Sequence, residues 1–554
     1  VVASVIAQAD LHVGAAQPQP QRIFLLLDKG NLLCWHLWLI DALRQRHQVV
    51  VSLRAPDDVI RMPAAGRLAF QLERLMYGIP PGAAVDRADA DAIAPPRMEF
   101  GAASAIDTIV DCSGCAEPAR ASRALTVLFD GVPGEIGILA ALLDDRPVSI
   151  AIEDSERPSE YATALPAIAD RKILTRAIDN VCSIAVDLII KALERHPLPA
   201  TRSLSKPGSR ARRVWSVSGL AYVASSVSWK MSRLLSLRLA GHEQWSVAYR
   251  NIAGGNLISE GRGEFTFLPD DGRRYFADPF VIRHNGRTLL FVEEFPYNTM
   301  RGRIAVAEIE NGGHVTSPRP ALEESYHLSY PNVFEHDGEI WMIPESGANA
   351  TIDLYRAAEF PTRWVREARL LERVVAYDAT LLHDEAGWWM FAATRLRRGT
   401  GWDSLSIFSA SDLRGPWRSC ERNPAVLDAR AARPAGGIIS RTCGYLRPVQ
   451  DCEAYYGAAI GLWRIDRMDG EAFEQTQIAR IVSNNFGVHT YNAAGALEVV
   501  DAFGKTRGRS SVTLTCAGVR PLRAGPFRAL HDGTASVAGS LRASEPHTSS
   551  FSLE

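Results

Sequence analysis

One hairpin is written three times in this chain. It reads ADPFVIRHNGRTLLFVEE at Ala277–Glu294, SYPNVFEHDGEIWMIPES at Ser329–Ser346 and AYDATLLHDEAGWWMFAAT at Ala376–Thr394. Each copy is a strand-like run, a tight turn and a second run. Asn285-Gly286 and Asp337-Gly338 are the dipeptides that two-residue hairpin turns favour. A unit that recurs at a near-constant period signals a repeat architecture, because no single copy can bury its apolar face alone. The marker positions Asp278, Tyr330, Asp378, Arg433 and Val488 lie 52, 48, 55 and 55 residues apart. Such a period suits radial blades of about four short strands each, as in a β-propeller. The fourth copy is ARPAGGIISRTCGYLRPVQD and the fifth GVHTYNAAGALEVVDAFG, so five blades are expected over 245–524. WSVAYR, at Trp245–Arg250, is placed to supply a missing strand of the last blade and close the ring.

The first half has a different rhythm. RIFLLLD (Arg22–Asp28) is the continuous apolar run of a buried parallel strand, and Leu33, Leu37, Ile40 and Leu43 then follow helical spacing. Strands are also expected at Gln48–Leu53, Ile106–Gly114, Ala124–Asp130 and Pro147–Asp154, with a helix over Asn180–Glu194. This alternation predicts an open-sheet α/β domain over 1–195. DKGNLL has a single glycine, Gly30, so a dinucleotide-binding turn is excluded. The order of elements resembles a formyltransferase-like domain, but without the Asn, His and Asp set or the SLLP-type loop of such enzymes. Asn180 and Asp130 read instead as a helix cap and a strand-end acid.

Residues 196–244 form a connector. HPLPATRSLSKPGSRARR is rich in Pro, Ser and basic residues, and 214–239 carries an apolar helical face. That face could dock on a membrane surface with Arg210, Arg212 and Arg213, which makes 210–239 the place for peripheral membrane contact. The preferred expectation is a helix bridging the two domains, since its polar face is rich in Ser rather than basic. The last stretch, 525–554, is Ser- and Ala-rich and is expected to be a disordered tail.

A net charge of −2 gives no pull toward nucleic acid, and none is expected as a partner. Eight cysteines in 554 residues do not make a disulfide framework, and Cys112 with Cys115 is a single pair without a second. The opening VVASVIAQAD lacks a basic region, so no secretory signal and a cytoplasmic location are the expectation.

Function is sought at the ring. Inner strands of a propeller line its channel, so Asp278, Asn332, Asp378, Arg433 and His489 should converge, together with the second-strand ends Glu293-Glu294, Glu345, Arg395, Arg447, Gln450, Asp451 and Asp501, of which Glu294, Glu345, Arg447 and Gln450 are the candidate site residues. Left unpaired, such charges would cost several kcal/mol each. Glycoside hydrolysis needs one protonated and one ionised carboxyl about the scissile bond, which Asp278, Glu345 and Asp378 could provide. Trp341, Trp388, Trp389, Tyr330 and Tyr377 could stack on sugars, although each alone reads as blade core. Asp278, Asp378 and His489 could hold a cation, but no spacing motif identifies a metal, and no cofactor is expected.

Phe276–Asp501 resembles the five-bladed propeller in the N-terminal region of plant glucosamine inositolphosphorylceramide transferase and its bacterial relatives. The resemblance rests on HLSYPNVFEHDGEIWMIPES, IDLYRAAEFPTRW, AYDATLLHDEAGWWMF, NPAVLDARAARPAGG, YLRPVQDCEAYYG and GVHTYN. Nothing in the chain resembles the separate glycosyltransferase domain of the plant protein, so transferase activity is not implied. The propeller also looks distantly like the arabinanase, xylosidase and invertase clan. That likeness implies a general base at Asp278, an auxiliary acid at Asp378 and a general acid at Glu345, although the clan places its acid on a later blade. Arg433, Arg447, Gln450 and His489 have the chemistry to bind sugar hydroxyls, or, for Arg447 and Gln450, to bond blade to blade. The expected partner is a glycan, a glycolipid head group or a sugar-containing small molecule. Two alternatives stand beside a glycosidase-like enzyme: a non-catalytic glycan-binding propeller, and formyl or acyl transfer to an amino sugar by the first domain.

Overall fold

The computed structural model describes residues 20–194 and 244–518, apart from 56–63, most of 90–106, 115–122, 158–160 and seven stretches of one to five residues in the second half. The basic connector with its expected helix, Cys115 and the tail from 525 lie outside the described residues.

In the first half, β1 (Arg22–Asp28) is the centre of a parallel array. It pairs with β2 (Gln48–Arg54) on one side and β3 (Thr108–Cys112) on the other, and β3 pairs with β4 (Ala124–Phe129). The order β2-β1-β3-β4 continues antiparallel through β6 (Ile150–Asp154) and β7 (Tyr161–Ala164), with β5 (Val132–Pro133) folded back on β4. Period-two alternation sends Ile23, Leu25 and Leu27 of β1 into the main core, where α1 (Cys34–Arg44), α3 (Ile136–Leu143) and α4 (Leu174–Leu193) cover the sheet. A further helix, α2 (Ala64–Tyr77), runs between β2 and β3. Asn180 is an interior residue of α4, not its cap; its amide accepts from the Ala169 N–H and donates to the Arg398 carbonyl.

The helix α4 is buried almost all round because it has two neighbours, the sheet and the propeller. Its polar positions Asp179, Ser183 and Asp187, four residues apart, take Arg398, the Arg398 N–H and Arg397 respectively. The Leu165 N–H bonds Leu427 O at 3.1 Å, Ala429 N–H bonds back to Leu165 O at 2.8 Å, and Asp403 accepts the Ala167 N–H at 2.7 Å. The α/β unit is therefore stitched to blade three along both backbone and side chains.

The second half is five radial sheets. Blade one has strands Arg274–His284, Arg287–Pro296, Arg303–Ile309 and Arg319–Leu322. Blade two has Ser329–His336, Glu339–Glu345, Thr351–Glu359 and Arg363–Glu372. Blade three runs Ala376–Asp384, Gly387–Thr394, Ser404–Ala410 and Arg418–Ser419, with Val426–Leu427 also on its third strand. Blade four is Ile439–Arg441, Gly444–Asp451, Ala459–Met468 and Phe473–Ser483. In blade five, Tyr491–Ala494 and Leu497–Gly504 are completed by Gln244–Asn251 and Arg262–Phe267, so the strand containing WSVAYR closes the ring. Sequence reading missed one device: Ser511–Ala517 pairs with the outer strands of both blades four and five, fusing them into one nine-stranded sheet.

The hairpin turns use left-handed residues as their dipeptides require, with Asn285 at φ 49° and Gly286 at φ 77°, and Asp337 at φ 51° and Gly338 at φ 76°. Between the blades, Trp341 and Trp388 share one core, and Trp389 packs in the next with Phe391 and Ile407. Tyr330 is fully buried, and its hydroxyl meets the Thr380 hydroxyl at 2.8 Å and the Gly436 N–H at 2.7 Å. These four aromatics are core. None is free to stack on a sugar.

Candidate functional site: the propeller mouth

Three blades begin with the same distortion. Their inner strands shift register between Ala277 and Phe280, Ser329 and Asn332, and Tyr377 and Thr380. The residue within each bulge is left-handed: Asp278 at φ 49°, Tyr330 at φ 43° and Asp378 at φ 54°. A non-glycine residue held there costs on the order of 1–3 kcal/mol and persists only where its surroundings over-determine it. Two of these bulged residues are the carboxylates Asp278 and Asp378, and the third, Tyr330, packs in the core.

Asp278 is 5% exposed. Its Oδ1 accepts from the Thr490 hydroxyl at 2.9 Å and its Oδ2 from the Tyr330 N–H at 3.2 Å, with His489 Nε2 at 3.5 Å. Burial pushes its pKa up to about 6, His489 opposing and the charges of Asp378 and Asp501 adding to the rise. Behind it, Asp501 accepts the N–H groups of Asp278, His489 and Thr490, and His489 Nδ1 lies 2.6 Å from its Oδ2. Burial alone would lower the pKa of His489, but Asp501 and Asp278 outweigh it and raise the group. Asp278, His489 and Asp501 bring one ligand atom each within 4.8 Å of one another, a set that could chelate a cation. Asp378, expected in that set, is engaged elsewhere.

Asp378 Oδ2 receives Arg433 Nε at 2.5 Å and Gln450 Nε2 at 2.9 Å. The Arg433 guanidinium lies over the rings of Tyr377 and Tyr456, 5.1 and 4.9 Å from their centroids. Glu345 accepts from the Ser329 hydroxyl at 2.8 Å and the Gly347 N–H at 2.9 Å. Burial, then the charge of Asp378, push its pKa up to about 7 against the pull of Arg433. A Cβ on Gly347 would stand 2.8 Å from Ala376 O and 3.1 Å from the Glu345 carboxylate, so only glycine lets the chain pass so close.

The other expected residues divide. Asn332 donates to Ala379 O at 3.1 Å, a bond between blades two and three. Arg447 is fully buried, bonded to the carbonyls of Ala431 and Ala432 and to Gln475, and burial draws its pKa down to about 9. It bonds within blade four and does not reach the mouth carboxylates. Glu294 also turns away: Arg274 meets it at 2.6 Å and Arg303 at 2.9 Å on the blade's flank. Its neighbour Glu293 takes the axial place, with His327 Nε2 at 3.4 Å. Burial first, then Asp278, Glu345, Asp501 and Asp378, push Glu293 well above the usual carboxyl range. The repeat singles it out from its neighbour Glu294, because Glu293 pairs with Ala277 in the register that joins Glu345 to Ser329, and Glu293 precedes Glu345 by the 52-residue period.

Half-buried aromatic rings surround this floor. Trp245 stacks on His489 with centroids 3.7 Å apart, Tyr456 meets Trp245, Trp402 and His489 at 6.1, 4.9 and 5.4 Å, and Tyr377 borders Gly347. Gly457, at φ 66°, lies where a Cβ would strike Trp245 and His489 at 2.7 and 2.9 Å. The site is thus a set of five carboxyl groups, one arginine and two histidines, His327 and His489, beside half-buried aromatics. Chemically it can donate and accept hydrogen bonds to a polyhydroxylated ligand, and it holds carboxyls whose pKa burial pushes up.

Residues 266–499 match the family described as "Glucosamine inositolphosphorylceramide transferase 1, N-terminal". The protein of that name from Oryza sativa subsp. japonica is 32% identical over 208 residues, which is 37% of this chain and 28% of the rice protein. Its Arabidopsis thaliana counterpart is 31% identical over 268 residues, 48% of this chain and 34% of that one. The chain therefore spans about a third or less of the length of these relatives. Among solved structures, a family 117 glycoside hydrolase from Zobellia galactanivorans aligns with a TM-score of 0.31 and 12% identity over 51% of this chain and 92% of its own. An exo-1,5-alpha-L-arabinanase from a bovine ruminal metagenomic library aligns with a TM-score of 0.30 and 16% identity over 44% and 93%.

Proposed function

With residues 266–499 a member of the glucosamine inositolphosphorylceramide transferase 1 N-terminal family, we propose that the propeller mouth is a carbohydrate site that takes a glycan or glycolipid head group. One observation carries this reading: a floor of five carboxyls, two of them balanced by Arg433 and His489, lies under half-buried aromatic rings. Aromatic faces suit the apolar face of a sugar ring, and buried carboxyls suit its hydroxyls. The names of the relatives, which refer to sugar and glycolipid chemistry, support the same class. A formyltransferase-like origin for the first half belongs to the proposal too, supported only by the parallel order β2-β1-β3-β4.

A second reading, glycoside hydrolysis, is favoured by buried carboxyls at the mouth, Asp278 and Glu345, that burial pushes above the usual carboxylate range. Glu345 gives its proton to the leaving glycosidic oxygen as the C–O bond breaks. Asp278 takes a proton from the water whose oxygen bonds to the anomeric carbon. Asp378, pinned by Arg433 and Gln450, supplies charge that keeps Glu345 protonated.

The test is a panel of aryl glycosides and glycolipids, assayed for binding and turnover. Binding by the parent is expected, with turnover rising near pH 6 as Asp278 ionises and falling near pH 7 as Glu345 does. Glu345→Gln and Asp278→Ala should each cut turnover about 10²–10⁴-fold. Binding without turnover would reduce the site to recognition alone, and no binding to any of them would sink the carbohydrate reading.

A further inference from the structure

One loop of blade three belongs to two neighbourhoods at once. Residues 395–403 join the strands Gly387–Thr394 and Ser404–Ala410, and they touch α4 on one side and the mouth on the other. Toward α4, Leu396 is part of the main core of the first half. Arg397 forms the ion pair with Asp187, and the Arg398 N–H donates to the Ser183 hydroxyl at 3.1 Å. The Arg398 carbonyl accepts from the Asn180 amide at 2.9 Å, so both backbone groups of this residue are held by the helix. Arg397 is left-handed, at φ 43°. A non-glycine residue persists there only where its surroundings over-determine it, and the surroundings that hold this turn are side chains of α4.

The far end of the same loop builds the mouth. Gly401, at φ 76°, leaves no room for a side chain, since a Cβ would stand 2.4 Å from the Tyr377 ring. The Trp402 ring lies 4.9 Å from that of Tyr456. Both rings pack against a small core of Ala167, Ala429 and Cys452, the first of which belongs to the α/β unit. Asp403, 1% exposed, ends the loop by accepting the Ala167 N–H. Tyr377 and Tyr456 are in turn the two rings that the Arg433 guanidinium covers while it holds Asp378. Direct contacts therefore run from α4 through the loop to the charged pair on the floor of the mouth. Three of the mouth's half-buried rings, Tyr377, Trp402 and Tyr456, stand on that route.

We propose that Asn180, Ser183 and Asp187 of α4 are positioning residues for the mouth, which set its aromatic wall through the Arg397-Arg398 turn, a role whose ligand rests on the carbohydrate reading above. The α/β unit then tunes ligand affinity without touching the ligand. Hydrogen exchange of the full chain, read by mass spectrometry, tests the route with no ligand present. In Asn180→Ala/Asp187→Ala, exchange over 375–380 and 454–458 is expected to be at least tenfold faster than in the parent. Asp187→Asn, which keeps the shape of the side chain, carries the test with a smaller rise if the double variant fails to fold. Lys191→Met is the control: it removes a bond from the same helix to the Arg422 carbonyl, outside the loop, and both stretches should exchange as in the parent. Affinity is the second readout, because an anchor that served stability alone would leave it unchanged. The aryl glycoside that the parent binds should bind at least tenfold more weakly to Asn180→Ala/Asp187→Ala, and equally well to Lys191→Met. Unchanged exchange at the mouth in the α4 variants, an equal rise in Lys191→Met, or unchanged affinity overturns the proposal. If the parent binds no glycan, the carbohydrate reading falls and exchange alone decides whether α4 positions the mouth.

Discussion

Glu293 and Glu294 are neighbours on the second strand of blade one, both nearly inaccessible, and they face opposite sides of the sheet. On the flank, acids are matched to arginines: Glu294 with Arg274 and Arg303, Asp353 with Arg369 at 3.2 Å and Arg366 at 3.7 Å. At the mouth, Asp278, Glu293, Glu345, Asp378 and Asp501 have Arg433, His489 and His327 among them. Both regions solve the desolvation of buried carboxylates, but with different counterions. The flank uses guanidinium groups and the mouth uses protons, which is why Glu293 and Glu345 are pushed up. A proton can be given away; an arginine side chain cannot. The flank therefore lacks the exchangeable protons that the mouth holds.

The sharpest test of that contrast is pH. Glu345 rises from an ordinary 4.5 to about 7, so the unfolded chain is the stronger acid. Between those values the unfolded state releases a proton that the native state keeps, and stability falls as pH rises through the window. Glu345→Gln should remove this slope, gaining on the order of 3 kcal/mol over the parent between pH 4.5 and pH 8. Urea midpoints at the two pH values measure it, and parallel shifts in parent and variant would refute it. Glu294→Ala should act oppositely, lowering stability by about 2 kcal/mol through lost charged hydrogen bonds while leaving ligand affinity unchanged. A loss of affinity without a loss of stability would erase the distinction between flank and mouth. The smallest effect is expected at the rim, where Trp402→Ala should weaken glycan binding by about 1 kcal/mol, read by calorimetry.

The ring was legible in the sequence because each hairpin carries its own turn dipeptide and alternation, and five copies set the period. The first sheet was legible where strands were continuous apolar runs, as at Arg22–Asp28, whose bounds the structure reproduces. The helix α3 was not, since IGILAALL is apolar on every side and has no period to read. At the mouth, Asp278, Asp378, Glu345 and His489 were named and the structure brings them together. Glu293 and Glu294 were both named as a strand end, but Glu294 was chosen for the site; alternation puts only one of two neighbours on the mouth side, and the 52-residue offset to Glu345 picks Glu293. The partners of Arg447 were equally hidden: Ala431 and Ala432 offer only carbonyls, which every residue has.

The closing of blade five sets an order of events. Gln244–Asn251 pairs with Leu497–Gly504, whose residues leave the ribosome about 250 positions later, at roughly 5–20 residues per second. For tens of seconds that early strand has an open edge, the kind that invites pairing with other chains. The α/β unit and blades one to three can assemble meanwhile, but the ring gains its last partner only when Ser511–Ala517 knits blade four to blade five. Such long-range pairing makes completion slow, and it makes the nine-stranded sheet the place where a nascent chain is most exposed to its neighbours.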